Sequence, residues 1–201
     1  MSSASRPTLM LASASPFRRR LLEAAGVAVE VVPAAVDEAL LKRELDGAAP
    51  DEIALALARA KAEAVSARFP AALTIGADQV LALGDQLLSK PRDMAEARDQ
   101  LRQLRGRLHQ LHSGVALAEA GAAVWSHAET ATLVMRPFSD AFLERYLAEA
   151  GEAVCRTVGG YEIEGRGIQL FEQVSGDCFT IIGLPLLALL AELRARGALD
   201  T

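Results

Sequence analysis

Along this chain short apolar runs alternate with stretches in which apolar residues recur at helical spacing, and turn-forming residues separate the two kinds of segment. Residues 8–12 read as a strand and residues 16–25 as a helix, with Ser15 suited to the N-cap and Pro16 to the first helical position. A strand over residues 27–32 and a long helix from about 51 to 68 follow. Residues 73–77 and 80–83 read as strands, and Gly84-Asp85 fits a hairpin turn into a short returning strand. A helix over 94–104 is stopped by Gly106, two longer strands (108–118 and 123–135) lie around Gly121, and a helix that starts after Ser139 stops at Gly151. Residues 168–174 read as a strand and 185–196 as a helix closed by Gly197. This alternation predicts an α/β fold with a mixed sheet and flanking helices.

No repeat, low-complexity tract or long linker divides the chain, so residues 1–201 are read as a single domain. With 51% hydrophobic residues that length buries a substantial core, as one domain or as two closely joined lobes. A net charge of -5 argues against an extended nucleic-acid binder, which usually carries a basic face, so any basic site is local. Cys155 and Cys178 form no CxxC pair, which leaves neither a disulfide framework nor a zinc set and points to a reduced, cytoplasmic protein. The short apolar run before Ala14 does not read as a targeting segment. The apolar stretch at 181–190 falls far short of the roughly 20 residues of a membrane span and contains Gly183 and Pro185, so it reads as the start of a buried helix.

Several segments carry residues with chemistry, each open to a plainer account. Ser13, Ser15, Arg18, Arg19 and Arg20 surround the step from the first strand into the first helix, where free N–H groups and cations could cradle phosphate. A capped helix with surface arginines has the same sequence, and because successive residues turn by about 100° at most two of the three arginines can face one triphosphate. Phe17 falls on the helical stripe with Leu21 and Ala25, which fits the core, or it offers a ring on which a base could stack. Lys61 shares a helix face with Ala54, Leu57, Ala58 and Val65, so it either snorkels or meets an anion. Asp78 follows an apolar run and is read at a strand's carboxyl edge, where open α/β sheets often bind ligands, though a turn aspartate looks alike. Ser89-Lys90-Pro91 offers a cation on a restricted backbone, and Val36-Asp37-Glu38 supplies carboxylates in a loop. His109, His112 and His127 form no metal set, since the first two point to opposite faces of a strand. A P-loop and a nucleophile elbow are both missing from the sequence.

The order of these pieces is more specific than any one of them: Ala-Ser-Ala-Ser-Pro-Phe-Arg-Arg, Val-Asp-Glu, Ala-Arg-Ala-Lys-Ala, Gly-Ala-Asp-Gln-Val, Ser-Lys-Pro and a late Gly-Leu-Pro-Leu. In that order they resemble the Maf (septum-formation-inhibitor-like) family of nucleoside triphosphate pyrophosphatases over nearly the whole chain. The resemblance implies two lobes around a nucleotide-binding cleft, often as a homodimer, and hydrolysis at the α-phosphorus to a monophosphate and pyrophosphate, assisted by a divalent metal such as Mg²⁺ or Mn²⁺. Carried over by position, Ser13, Arg18 and Arg19 would hold phosphates, Lys61 and Lys90 would neutralise them, and Glu38 and Asp78 would handle metal and water, with Asp78 as general base.

Three positions depart from the family's commoner pyrimidine pattern: Phe17 replaces Arg, Gln79 replaces Thr and Glu164 replaces Gln. They are similar to the branch associated with 7-methyl-GTP, although Phe17 stands where that branch carries tryptophan. Glutamate accepts from guanine's N1–H and exocyclic amine, and an aromatic face attracts a cationic methylated purine; the plainer account of Glu164 is an exposed residue of the 160–167 loop. The alternatives are a dTTP/UTP pyrophosphatase, a nucleotide-binding septum-formation regulator with little turnover, and a structural interaction protein in which these motifs are unrelated in space.

Overall fold

The computed structural model describes residues 6–200, and Met1 to Ser5, the start of the N-terminal stretch, lie outside it. The described residues divide into two compact units, one made of residues up to 79, 113–129 and 183 onward, the other of 80–112 and 130–182. The architecture is α/β with a seven-stranded mixed sheet in the order β2 (Glu30–Val31), β1 (Leu9–Leu11), β3 (Leu73–Leu83), β5 (Leu108–Glu119), β6 (Ala122–Met135) and β7 (Phe171–Ser175), with β4 (Gln86–Leu88) paired to β3.

The first unit opens with β1 (Leu9–Leu11), α1 (Pro16–Ala24) and β2 (Glu30–Val31). β1 pairs in parallel with β2 on one side, Leu11 opposite Val31, and with β3 (Leu73–Leu83) on the other, Leu11 opposite Ile75. A parallel strand buried on both faces has no polar side, so Leu9, Met10 and Leu11 are all buried. Between β2 and β3 come α2 (Glu38–Glu44) and α3 (Pro50–Ser66), the second with Pro50 in its first turn and the Glu52 carboxylate accepting from the Ala49 N–H at 3.1 Å. This unit ends with α7 (Leu186–Ala195), closed at Gly197 as its left-handed φ of +68° requires.

The approach of α3 to the sheet is set by small residues. A Cβ at Gly76 on β3 would lie 2.1 Å from the Ala58 carbonyl oxygen, and one at Gly114 on β5 (Leu108–Glu119) would lie 2.6 Å from that of Ala54. Ala58 and Ala62 on the helix pack with Ala116 and Ala118 of β5, all fully buried. Helix backbone thus rests nearly on strand backbone.

The second unit has a larger-residue core, with Leu81, Leu101, Leu111, Leu133, Leu143 and Tyr146 among its buried members. It holds β4 (Gln86–Leu88), α4 (Met94–Leu104), α5 (Asp140–Ala150), three 3-10 turns between 151 and 170, β7 (Phe171–Ser175) and α6 (Cys178–Ile182). Asp93 caps α4 by accepting from the Glu96 N–H at 2.8 Å, and Ser139 caps α5 by accepting from Phe142 N–H at 3.2 Å. β4 returns antiparallel to β3 with Leu83 opposite Gln86, turning at Gly84 with φ +60°. β7 runs antiparallel to β6 (Ala122–Met135) with a bulge at Val134/Met135.

Four elements differ from the sequence expectation. β3 is one strand rather than two, because the ladder continues through Asp78, whose carboxylate is neutralised in place; Asp78 is therefore interior to a strand, not at its end. Glu38 begins a helix rather than sitting in a loop, with Asp37 as its N-cap accepting from Leu40 N–H at 2.9 Å. The expected strand at 168–174 is 3-10 over Arg166–Leu170 and a strand only from Phe171. The apolar stretch at 181–190 is broken at Gly183 to Pro185 into the end of α6 and the start of α7. No helix among the described residues is long and apolar enough to cross a membrane.

Candidate active site

In the first unit the turn after β1 holds Ser13, which is buried, and Ser15, which caps α1 with its hydroxyl accepting from the Arg18 N–H at 3.5 Å. The arginines that follow diverge as a helix demands. Arg18 turns inward and is buried: its Nε donates to the Gly183 carbonyl at 2.8 Å, and its Nη1 donates to Ser13 Oγ at 3.0 Å and to the Ala77 carbonyl at 2.9 Å. One guanidinium thereby ties the β1–α1 turn to β3 and to the segment before α7. Burial lowers its pKa, and Asp78 and Glu38 oppose that shift by their charge. Arg19 points away, to Glu23 at 2.6 Å on the exposed side of the helix. Arg20 lies over the Phe17 ring at 4.9 Å, and Phe17 itself is only 9% exposed. In this arrangement Phe17 occupies the core position that its helical spacing allowed.

The second feature is centred on Lys61. Its ammonium nitrogen lies 2.5 Å from Asp78 Oδ1 and 2.7 Å from Glu38 Oε1. The side chains of Lys61 and Asp78 are 11% and 9% exposed, whereas that of Glu38 is 46% exposed. Lys61 therefore does not snorkel: it is held under two carboxylates by the close seating of α3 on Gly76. Burying such a pair costs several kcal/mol of desolvation per ion, which only good geometry and nearby countercharges offset. The countercharge count is even, two cations (Lys61, Arg18) against two anions (Asp78, Glu38).

Ser13, Arg18, Glu38, Lys61, Asp78 and Gln79 are thus gathered in one unit. Gln79 donates from Nε2 to Ser113 Oγ at 3.1 Å. Ser113, fully buried on β5, was not legible in the sequence, where it is one small polar residue inside an apolar run. Lys90 and Glu164 belong to the second unit, and both are exposed. Lys90 follows Ser89, whose carbonyl accepts from Gln100 Nε2 at 2.8 Å, and precedes buried Pro91, so its loop is pinned on both sides. Glu164 lies in the turn between two 3-10 segments.

Each histidine meets a neighbouring side chain. His109 is buried and hydrogen-bonds Tyr161 through Nε2 at 2.7 Å, and burial pushes its pKa down to about 4. His112 Nδ1 meets Thr130 Oγ1 at 2.9 Å, and His127 lies 3.0 Å from Glu129. No cluster of three or more His, Cys, Asp or Glu side chains able to hold a metal occurs among the described residues.

Comparison with known proteins places the whole sequence in a family. The Maf-like protein family model matches residues 8–196. The chain belongs to the Maf family. A Rhizobium meliloti relative named 7-methyl-GTP pyrophosphatase is 52% identical over 197 residues, covering 97% of this chain and 99% of that protein. A second protein of that name, from Rhizobium etli, is 50% identical and covers 96% and 98%. A Granulibacter bethesdensis relative named nucleoside triphosphate pyrophosphatase is 48% identical, covering 95% and 98%.

Proposed function

We propose that this Maf-family chain is a nucleoside triphosphate pyrophosphatase that releases a nucleoside monophosphate and pyrophosphate, with 7-methyl-GTP as its preferred substrate. The observation that carries the reading is the buried Lys61–Asp78 pair, with Glu38 on the same ammonium and Arg18 anchored beside it. Hydrolysis forms a bond from water oxygen to the α-phosphorus and breaks the bridging bond to the β-phosphate, so pyrophosphate carries away the electron pair. Asp78 orients the water and takes its proton, and Lys61 and Arg18 offset the charge that grows on phosphoryl oxygens.

Glu38 and Asp78, hard oxygen donors brought close together in one unit, would be the residues to hold a divalent cation. Two carboxylates are the usual protein share for Mg²⁺ or Mn²⁺, the other positions going to water and phosphate oxygens. When bound, such an ion supplies Lewis-acid charge neutralisation at the phosphate.

Base preference rests on Gln79 and Glu164, since a carboxylate accepts from guanine's donor edge. A cytoplasmic setting and a homodimer belong to the same proposal; the free thiols of Cys155 and Cys178 are consistent with the former. The test is pyrophosphate release from 7-methyl-GTP, GTP, dTTP and UTP with Mg²⁺ or Mn²⁺, run in ¹⁸O-water. Label is expected in the monophosphate; label in orthophosphate beside a diphosphate product would overturn the reaction, and preference for dTTP or UTP would overturn only the base assignment.

A further inference from the structure

We infer that Ser113 is a specificity-positioning residue that fixes the orientation of the Gln79 side-chain amide, an inference that rests on the base-reading role proposed for Gln79. Gln79 donates one of its two N–H groups to Ser113 Oγ at 3.1 Å. The opposite end of the amide is bounded differently. A Cβ built on Gly183 would fall 3.6 Å from Gln79 Oε1 and 3.6 Å from Arg18 Nη2, so the amide oxygen and the guanidinium border the same small space above that glycine. Gly183 keeps this space open, and its φ of +115° is one that side-chain-bearing residues rarely adopt.

The two ends together select one of the two amide orientations. A serine hydroxyl can accept or donate, so Ser113 alone holds either end of the amide. A guanidinium only donates, so an amide turned over would bring its NH₂, another donor, to the space that Arg18 also borders. Arg18 in turn cannot swing away, because Nε and Nη1 are committed to Gly183, Ser13 and Ala77. Ser113 supplies the anchor that keeps Gln79 in register with this fixed cation. With that anchor in place, Gln79 offers a bound nucleotide a more closely defined donor and acceptor pattern, and its loss lowers discrimination between bases.

The experiment compares Ser113→Ala, Ser113→Thr, Gln79→Ala and the Ser113→Ala/Gln79→Ala double variant, measuring the kcat/KM ratio of 7-methyl-GTP to UTP, the melting temperature, and the Gln79 side-chain ¹⁵N–¹H resonances of the ¹⁵N-labelled protein. Ser113→Ala is expected to keep its melting temperature within a few degrees, to shift or broaden the Gln79 amide signals, and to lower the ratio by about 3- to 10-fold, the worth of one hydrogen bond. Ser113→Thr should restore both, and Ser113→Ala should change nothing further once Gln79 is alanine. A ratio altered by Gln79→Ala but not by Ser113→Ala, or altered equally by Ser113→Ala in both backgrounds, overturns the positioning role alone. An unaltered ratio in Gln79→Ala overturns the base-reading role of Gln79 and the inference with it.

Discussion

Gly76→Ala is the sharpest probe of how this fold makes its site. The methyl group would lie 2.1 Å from the Ala58 carbonyl oxygen, 2.6 Å from Ala62 N and 2.8 Å from Ala62 Cβ. Ordinary contact begins near 3.4 Å, so α3 must retreat by roughly 1 Å, and since the nearest atom is helix backbone no side-chain rotation relieves it. Overpacking of this kind costs about 1–3 kcal/mol, which for a chain of this size lowers the melting temperature by roughly 2–12 °C. The second consequence is chemical. Lys61 is on the displaced turn of α3 and Asp78 two residues beyond Gly76, so their 2.5 Å contact opens by a similar amount. A misplacement of about 1 Å can cost on the order of 10²-fold in rate. Gly114→Ala serves as the comparison: its Cβ would meet Ala54 O at 2.6 Å, nearly two turns from Lys61, so it should lose stability while keeping more activity. Scanning calorimetry and pyrophosphate release at a temperature where both variants remain folded separate the two effects. A Gly76→Ala protein with unchanged melting temperature and turnover would refute the idea that backbone contact sets the Lys61–Asp78 geometry, and rescue by Ala62→Gly would show that the side chain, not the Ala58 carbonyl, is the obstacle.

Asp78→Asn should retain much nucleotide binding but lose about 10²- to 10⁴-fold in turnover, because an amide is a poor base and no anion; near-normal turnover would move the role to Glu38. Glu164→Gln should weaken the preference for 7-methyl-GTP over UTP in a substrate panel, since an amide accepts and donates where the carboxylate only accepts. His109 has a folded-state pKa of about 4 against 6.5 for the free side chain, so between those values the unfolded chain takes up a proton that the folded chain refuses. Its contribution is complete above pH 6.5 and is lost as pH falls toward 4; urea titrations at pH 7 and pH 5 should differ by about 2 kcal/mol more in the wild type than in His109→Gln. Ala120, at φ +48° in the turn between β5 and β6, is the one non-glycine residue with positive φ among those described, and Ala120→Asn should raise stability by about 0.5–1 kcal/mol in thermal melts.

The sequence by itself determined where most elements lie, because the information is local. Ser15-Pro16, Gly106, Ser139, Gly151 and Gly197 mark helix ends through hydrogen bonds and backbone angles made within a few residues. The order of motifs was also enough to identify the family. What only the tertiary structure decided were pairings between residues distant in sequence. Whether Lys61 snorkels or meets an anion depended on Asp78, 17 residues away, and on the alanine and glycine surface that seats α3 against the sheet. Which of three successive arginines turns inward depended on acceptors at Ala77 and Gly183, and burial of Asp78 within a continuous strand depended on the cation opposite it. Ser113 was invisible for the same reason: its meaning is a hydrogen bond to Gln79 across neighbouring strands. Periodicity reports which face of an element is buried, but a buried charge is tolerated only where another element brings its partner, and that partner is chosen in three dimensions.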